Sequence, residues 1–209
     1  IHCHQLLMEE VPLTLTVDGN EYGSISGTYG NNELSTGVHQ IPVGTEVKLN
    51  AIANSGASFY GWVDKNGKLL STDANYTFNM IKEIDIKAVF AQNGTYVARK
   101  DGAFYKDLAT ALKEAVSGDT IRLIDNCTLN ETTTVPEGVT LMIPYNATTT
   151  SPTEKGTETT ATGRVSWTNE SKYLYLTLDI PENVTLNVDG RVIVGAVQHY
   201  PAQNYQGNT

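Results

Sequence analysis

From Leu13 onward, apolar residues recur at every second position in short runs broken by Gly, Asn and Asp. Leu13, Leu15 and Val17 share one face of a first strand, which the turn residues Asp18, Gly19 and Asn20 close. Gly23 to Gly27 reads as a strand flanked by glycines. Val47, Leu49 and Ala51 repeat the period after the turn residues Pro42, Val43 and Gly44. Phe59 to Val63 follows, and Asp64 to Lys68 predicts a hairpin turn ahead of Leu69 and Leu70. Tyr76 with Phe78, then Ile84, Ile86, Ala88 and Phe90, complete a β module of six or so strands that closes near Ala91. Beyond Asn93 the period changes. Leu108, Ala111, Leu112, Ala115 and Val116 fall at helical spacing, with Asp107 at the start and Gly118 suited to the position just past the end. Strands resume over 118–124, 132–135 and 139–143.

An internal echo follows. Val135-Pro136-Glu137-Gly138-Val139-Thr140-Leu141 returns 45 residues later as Ile180-Pro181-Glu182-Asn183-Val184-Thr185-Leu186. Recurrence of short β segments predicts a solenoid, whose rungs bury strips of Val, Ile and Leu against one another. Residues 147–172, rich in Thr, Ser, Glu and Gly, do not fit a rung and are expected to form a loop excursion. Gln198 to Thr209 lose the pattern. So few rungs with no second cap imply a truncated solenoid, part of a longer protein.

Composition narrows the function classes. Fourteen Lys and Arg against 23 Asp and Glu leave a net charge of −9, which repels a phosphate backbone and argues against nucleic acid as a partner. No apolar stretch approaches the roughly 20 residues of a membrane span, so no membrane insertion is expected. Cys3 and Cys127 belong to no zinc spacing and are expected to stay unbridged. His2, Cys3 and His4 are adjacent but lack distant partners, so no metal is expected. Residues 1–10 read as a leader, a linker or a cloning remnant.

Four ordered segments carry a resemblance: Gly44 to Ala51, Ser55 to Trp62, Tyr76 to Met80 and Ile84 to Phe90. Together they resemble the divergent internalin-type B-repeat of bacterial surface proteins, over residues 13–91. The resemblance implies a small β-grasp-like module at 11–92. The stretch from Leu108 through Gly118-Asp119-Thr120 to Ile124 closely resembles the N-terminal entry of right-handed parallel β-helix proteins, in which an amphipathic helix caps the open end. That implies a capping helix and first rungs over 93–209. The fold class expected is therefore mostly β, in two modules.

Parallel β-helices often belong to polysaccharide lyases and hydrolases, whose sites need carboxylates converging on one groove. Here Asp119, Asp125, Glu131, Glu137, Asp179, Glu182 and Asp189 are spread over turns, and the chain has no G-x-S-x-G, P-loop or dinucleotide motif. No enzyme activity and no cofactor are expected. The resemblance implies an extracellular or cell-wall-attached segment that acts as a spacer and adhesive module. Its expected partners are a host glycoprotein such as an immunoglobulin, a glycan or a cell-wall polymer. The alternative is the accessory N-terminal region of a secreted carbohydrate-active enzyme. Trp167, Tyr173 and Tyr175, at the end of the 147–172 excursion, are the candidate ligand-binding residues, because amphipathic rings suit sugars and protein partners alike.

Overall fold

The computed structural model describes residues 9–144 and 176–195 in full, and the backbone of 157–159, 164–168, 197–199 and 205–206. The protein is mostly β, and it divides into two compact units, Ile1–Asn93 and Gly94–Thr209.

In the first unit, alternation of apolar and polar residues produces nine strands: β1 (Glu10–Asp18), β2 (Gly23–Tyr29), β3 (Asn32–Leu34), β4 (Gly37–Pro42), β5 (Glu46–Ala53), β6 (Ala57–Asp64), β7 (Leu69–Ser71), β8 (Asn75–Asn79) and β9 (Ile84–Gln92). One sheet has the order β4-β1-β9-β6-β7 and the other β3-β2-β5-β8. The first and last strands, β1 and β9, pair in parallel from Leu13 opposite Ile84 to Asp18 opposite Val89, and the other pairs are antiparallel. Leu13 and Leu15 of β1, Val47 and Leu49 of β5, Trp62 of β6 and Ile86 of β9 meet in one core. The described residues of this unit contain no helix, so its core is closed sheet on sheet.

Trp62 anchors that core. Its side chain is fully buried, its indole N–H donates to the Asp73 carbonyl at 2.9 Å, and the Phe59 ring meets it edge-on at 5.2 Å. Gly23 makes room for Phe90: a Cβ there would lie 2.3 Å from the Phe90 ring. Tyr60 is the extra residue of a bulge, since Phe59 stands opposite Phe90 and Gly61 opposite Val89.

The second unit begins with a hairpin, β10 (Ala98–Lys100) and β11 (Ala103–Tyr105), then α1 (Leu108–Glu114), β12 (Thr120–Leu123), β13 (Cys127–Thr128), β14 (Thr133–Val135) and β15 (Thr140–Ile143). After them come β16 (Thr157–Thr159), β17 (Arg164–Thr168), β18 (Leu178–Asp179), β19 (Thr185–Val188), β20 (Arg191–Val194), β21 (Val197–His199) and β22 (Tyr205–Gln206). Strands β12, β15 and β20 lie side by side in parallel, β13 is parallel to β18, and β14 to β19. Ile121, Leu141 and Val192 stack from one strand to the next in a core shared with Leu178, Leu186 and Leu129. Leu108, Ala109, Ala111 and Leu112 of α1 bury into the same core. Asp107 caps the helix, its carboxylate accepting both the N–H and the hydroxyl of Thr110 at 2.8 and 3.0 Å.

Successive passes of the chain are tied by side chains as well as by strands. The Asn126 amide oxygen accepts the Thr177 N–H at 2.8 Å, Thr132 Oγ1 accepts the Thr185 N–H at 3.1 Å, and Thr140 Oγ1 accepts Arg191 Nε at 2.7 Å. At one corner the Gly118 N–H donates to Gly138 and the Gly190 N–H to Val135, at 2.8 and 3.0 Å. Backbones approach closely there, and a Cβ on Gly190 would lie 2.2 Å from the Val139 oxygen and 2.3 Å from that of Pro136.

The helix end, the excursion and the tail differ from expectation, and the echoed Pro-Glu segments join different pairs of strands. Pro136 to Val139 leads from β14 into β15, whereas Pro181 to Val184 leads from β18 into β19, and β14 pairs with β19. What recurs is a turn: Val139 and Val184 each donate to the proline carbonyl three residues back, at 3.0 and 3.1 Å, with Gly138 and Asn183 at positive φ. The helix ends at Glu114, earlier than its apolar spacing implies. Val116 is 64% exposed, and Gly118 instead serves a turn in which the Asp119 N–H donates to the Val116 carbonyl. The excursion contains a hairpin, β16 with β17, and β17 adds antiparallel to β18. The tail also joins sheets, β21 lying antiparallel to β20 and β22 to β19.

Candidate functional site

The excursion leaves and re-enters at a single point, because the Leu176 N–H donates to the Pro144 carbonyl at 3.0 Å. Thr120 stands beside Thr140, 20 residues on, whereas Thr140 stands beside Arg191, 51 residues on. The additional 31 residues equal the run from 145 to 175, so these two steps match once that run is set aside, while Thr133 stands beside Leu186, 53 residues on, two residues further. Trp167 lies within β17, opposite Glu158 of β16. Tyr173 and Tyr175 lie outside the described residues, as do Cys3 and most of the 147–172 stretch.

Of the carboxylates weighed for catalysis, Asp119, Glu131 and Asp125 are engaged locally. Asp119 accepts the Val116 N–H at 2.8 Å and pairs with Lys100 at 3.5 Å. Glu131 pairs with Lys113 at 2.9 Å, and Asp125 accepts the Asn126 N–H at 2.8 Å. Asp125 and Asp179 both act on Cys127, whose thiol is pushed up to about 12 by burial first and by these two negative charges second. A thiol so raised is almost wholly protonated at neutral pH and is a poor nucleophile there. Among the described residues, no three His, Cys, Asp or Glu side chains converge on a point that could hold a metal.

The first unit presents a different kind of surface. On the outer face of the β3-β2-β5-β8 sheet, the register places Ser26, Asn50 and Asn75 in one row and Thr28, Lys48 and Thr77 in the next. They floor an open depression of about 630 Å³, with Glu33 at one side. Short hydroxyls and amides on a flat sheet offer alternating donors and acceptors to a hydroxyl-rich ligand. The sequence signal is the polar half of the same alternation that marks the core, Ser-x-Ser-x-Thr in β2 and Asn-x-Thr-x-Asn in β8. Reading only the apolar half misses it. No described helix is long and apolar enough to cross a membrane.

No curated protein and no solved structure matches this chain. Residues 13–94, the stretch that builds the two-sheet first unit, match the family model described as the divergent InlB B-repeat domain, a family associated with bacterial surface proteins.

Proposed function

We propose that the chain is a non-catalytic segment of a secreted or cell-surface bacterial protein, the B-repeat module serving as spacer and the second unit as a presenting scaffold. The observation that carries this reading is the B-repeat match over residues 13–94. The second unit is read as the helix-capped start of a right-handed parallel β-helix. Supporting that reading are the parallel runs β12-β15-β20, β13-β18 and β14-β19 around one core, with α1 buried against it. Strands fixed by such stacking leave recognition to segments that depart from the coil, so the run between Pro144 and Leu176, with Trp167, Tyr173 and Tyr175, is the proposed binding element. The partner class is a glycan, a host glycoprotein such as an immunoglobulin, or a cell-wall polymer.

A glycan and secreted-protein array tests this on the intact chain and on a variant with residues 147–172 replaced by a short Gly/Ser linker. Binding by the first and not the second is expected. A ligand held equally well by both would remove the excursion from the account and turn attention to the polar face around Asn50. A second reading, an accessory region of a carbohydrate-active enzyme, is favoured by the same parallel pairing. It predicts that the chain enhances lyase or hydrolase turnover when joined to a catalytic domain.

A further inference from the structure

Strand β8 is the open edge of its sheet, paired only with β5. Backbone phase settles which of its groups are unused. Ala51 donates to the Ala74 carbonyl and Met80 to the Thr45 carbonyl, so the even-numbered residues Tyr76 and Phe78 turn their backbone groups to β5. Thr77 and Asn79 therefore turn theirs outward, while the Asn75 N–H is taken by the Asp73 carboxylate at 3.0 Å. The other edges are blunted. Strands β3 and β7 have three residues each, and β4 ends on Pro42. Strand β8 has no Pro, no Lys and no bulge.

Its sequence, Asn75-Tyr76-Thr77-Phe78-Asn79, has the same chemistry read in either direction. We infer that β8 pairs antiparallel with β8 of a second copy of this chain, about a two-fold axis at Thr77. In that register Thr77 meets Thr77 and exchanges two hydrogen bonds. Each Asn79 N–H reaches the Asn75 carbonyl of the other copy, giving four bonds in all. Tyr76 faces Phe78 across the axis in both directions. These rings already stack within one chain, with centroids 5.2 Å apart and planes at 21°, on the half-buried side of the strand. They open onto a cleft of about 390 Å³ shared with Ile84 and with Ile81, which is 78% exposed.

Charge favours this occupant over an arbitrary one. The five residues carry no charge, so the strand itself adds no like-charge contact between two copies of a chain of net charge −9. Continued outward, the register brings Lys82 of each copy to the end where the other carries Asp73. Lys82 has no ion-pair partner among the described residues.

Sedimentation of the full chain from roughly 10 μM to roughly 1 mM, the range of a small interface, tests the pairing. The mass should climb from 22.7 kDa toward twice that value and stop there, since a two-fold contact closes. Thr77→Lys, at an exposed position, sets two like charges on the axis and should weaken association about tenfold or more. Ser26→Lys, on the same face but away from the edge, should change nothing. If Thr77→Lys abolishes the melting transition of the first unit, Lys82→Glu decides in its place, with several-fold weaker association expected. A mass fixed at 22.7 kDa up to 1 mM overturns the inference. So does growth beyond a dimer, or a dimer indifferent to the β8 variants.

Discussion

Gly190→Ala probes the corner where the chain's passes lie closest. The added methyl would stand 2.2 Å from the Val139 oxygen, 0.8 Å inside the 3.0 Å that real Cβ contacts keep. Neither partner is a side chain that can swing away. The Val139 carbonyl accepts the Arg191 N–H, and the Gly190 N–H itself donates to Val135, both at 3.0 Å. Relief requires the β19–β20 corner to lift, which loosens those two bonds at about 1 kcal/mol each and adds about 1–3 kcal/mol of overpacking. The total, about 3–5 kcal/mol, should lower the melting temperature of the second unit by roughly 12–20 °C. Gly56→Ala supplies the contrast. Gly56 has φ +79° with nothing within 4 Å of a new Cβ, so it should cost about 1 kcal/mol and move only the first unit's transition. Differential scanning calorimetry on the two variants reads both shifts and identifies which transition belongs to which unit. A shift of less than about 4 °C in the second unit's melt for Gly190→Ala, or any shift in the first unit's melt, would show that the corner accepts the methyl without strain or is not confined to the second unit.

Trp62→Phe should destabilise the first unit by about 2–3 kcal/mol in urea titration, from lost volume and an orphaned Asp73 carbonyl. A loss under about 0.5 kcal/mol would mean that Trp62 is no core anchor. Cys127, in a Cys3→Ser background, should react with iodoacetamide at pH 8 about a thousandfold more slowly than a thiol of ordinary pKa, 9.0, since burial pushes its own up to about 12. Because the folded value is the higher one, the thiol's contribution to stability is complete below about pH 9 and is lost as pH rises toward 12. Urea midpoints that stay flat over that interval would contradict the shift.

The first unit is legible because its strands are half-buried, and alternation then reports the face directly. Leu13 and Leu15, Val47 and Leu49, and Ile86 and Ala88 all point where their spacing says. Strands β3 and β4 are not, since Asn32 to Leu34 is short and β4 carries only Ile41 into the core. In the second unit the echoed turn is legible but its stacking is not. A Pro-Glu-Gly or Pro-Glu-Asn turn reports local geometry, whereas register depends on how many residues separate one pass from the next, and the 31 residues after Pro144 disguise that period. The Asp101-Gly102 pair between β10 and β11 is a hairpin signal hidden by the helix that follows it. Of the aromatic site proposed on the excursion, only the backbone of Trp167 is placed. The polar face around Asn50 emerges only when four strands are set side by side.

The second unit is proposed to be a coil interrupted once, by an insertion that serves binding and not the fold. Pro144 and Leu176 are already joined as a turn joins its ends, by the bond that Pro136 and Val139 make across Glu137-Gly138. Replacing residues 145–175 with Glu-Gly should therefore restore a continuous coil. Hydrogen exchange on that variant should show β12, β15 and β20 as protected as in the intact chain, with a cooperative melt within a few degrees of the original. Loss of that protection, or of the cooperative melt, would show the excursion to be part of the core and contradict the account.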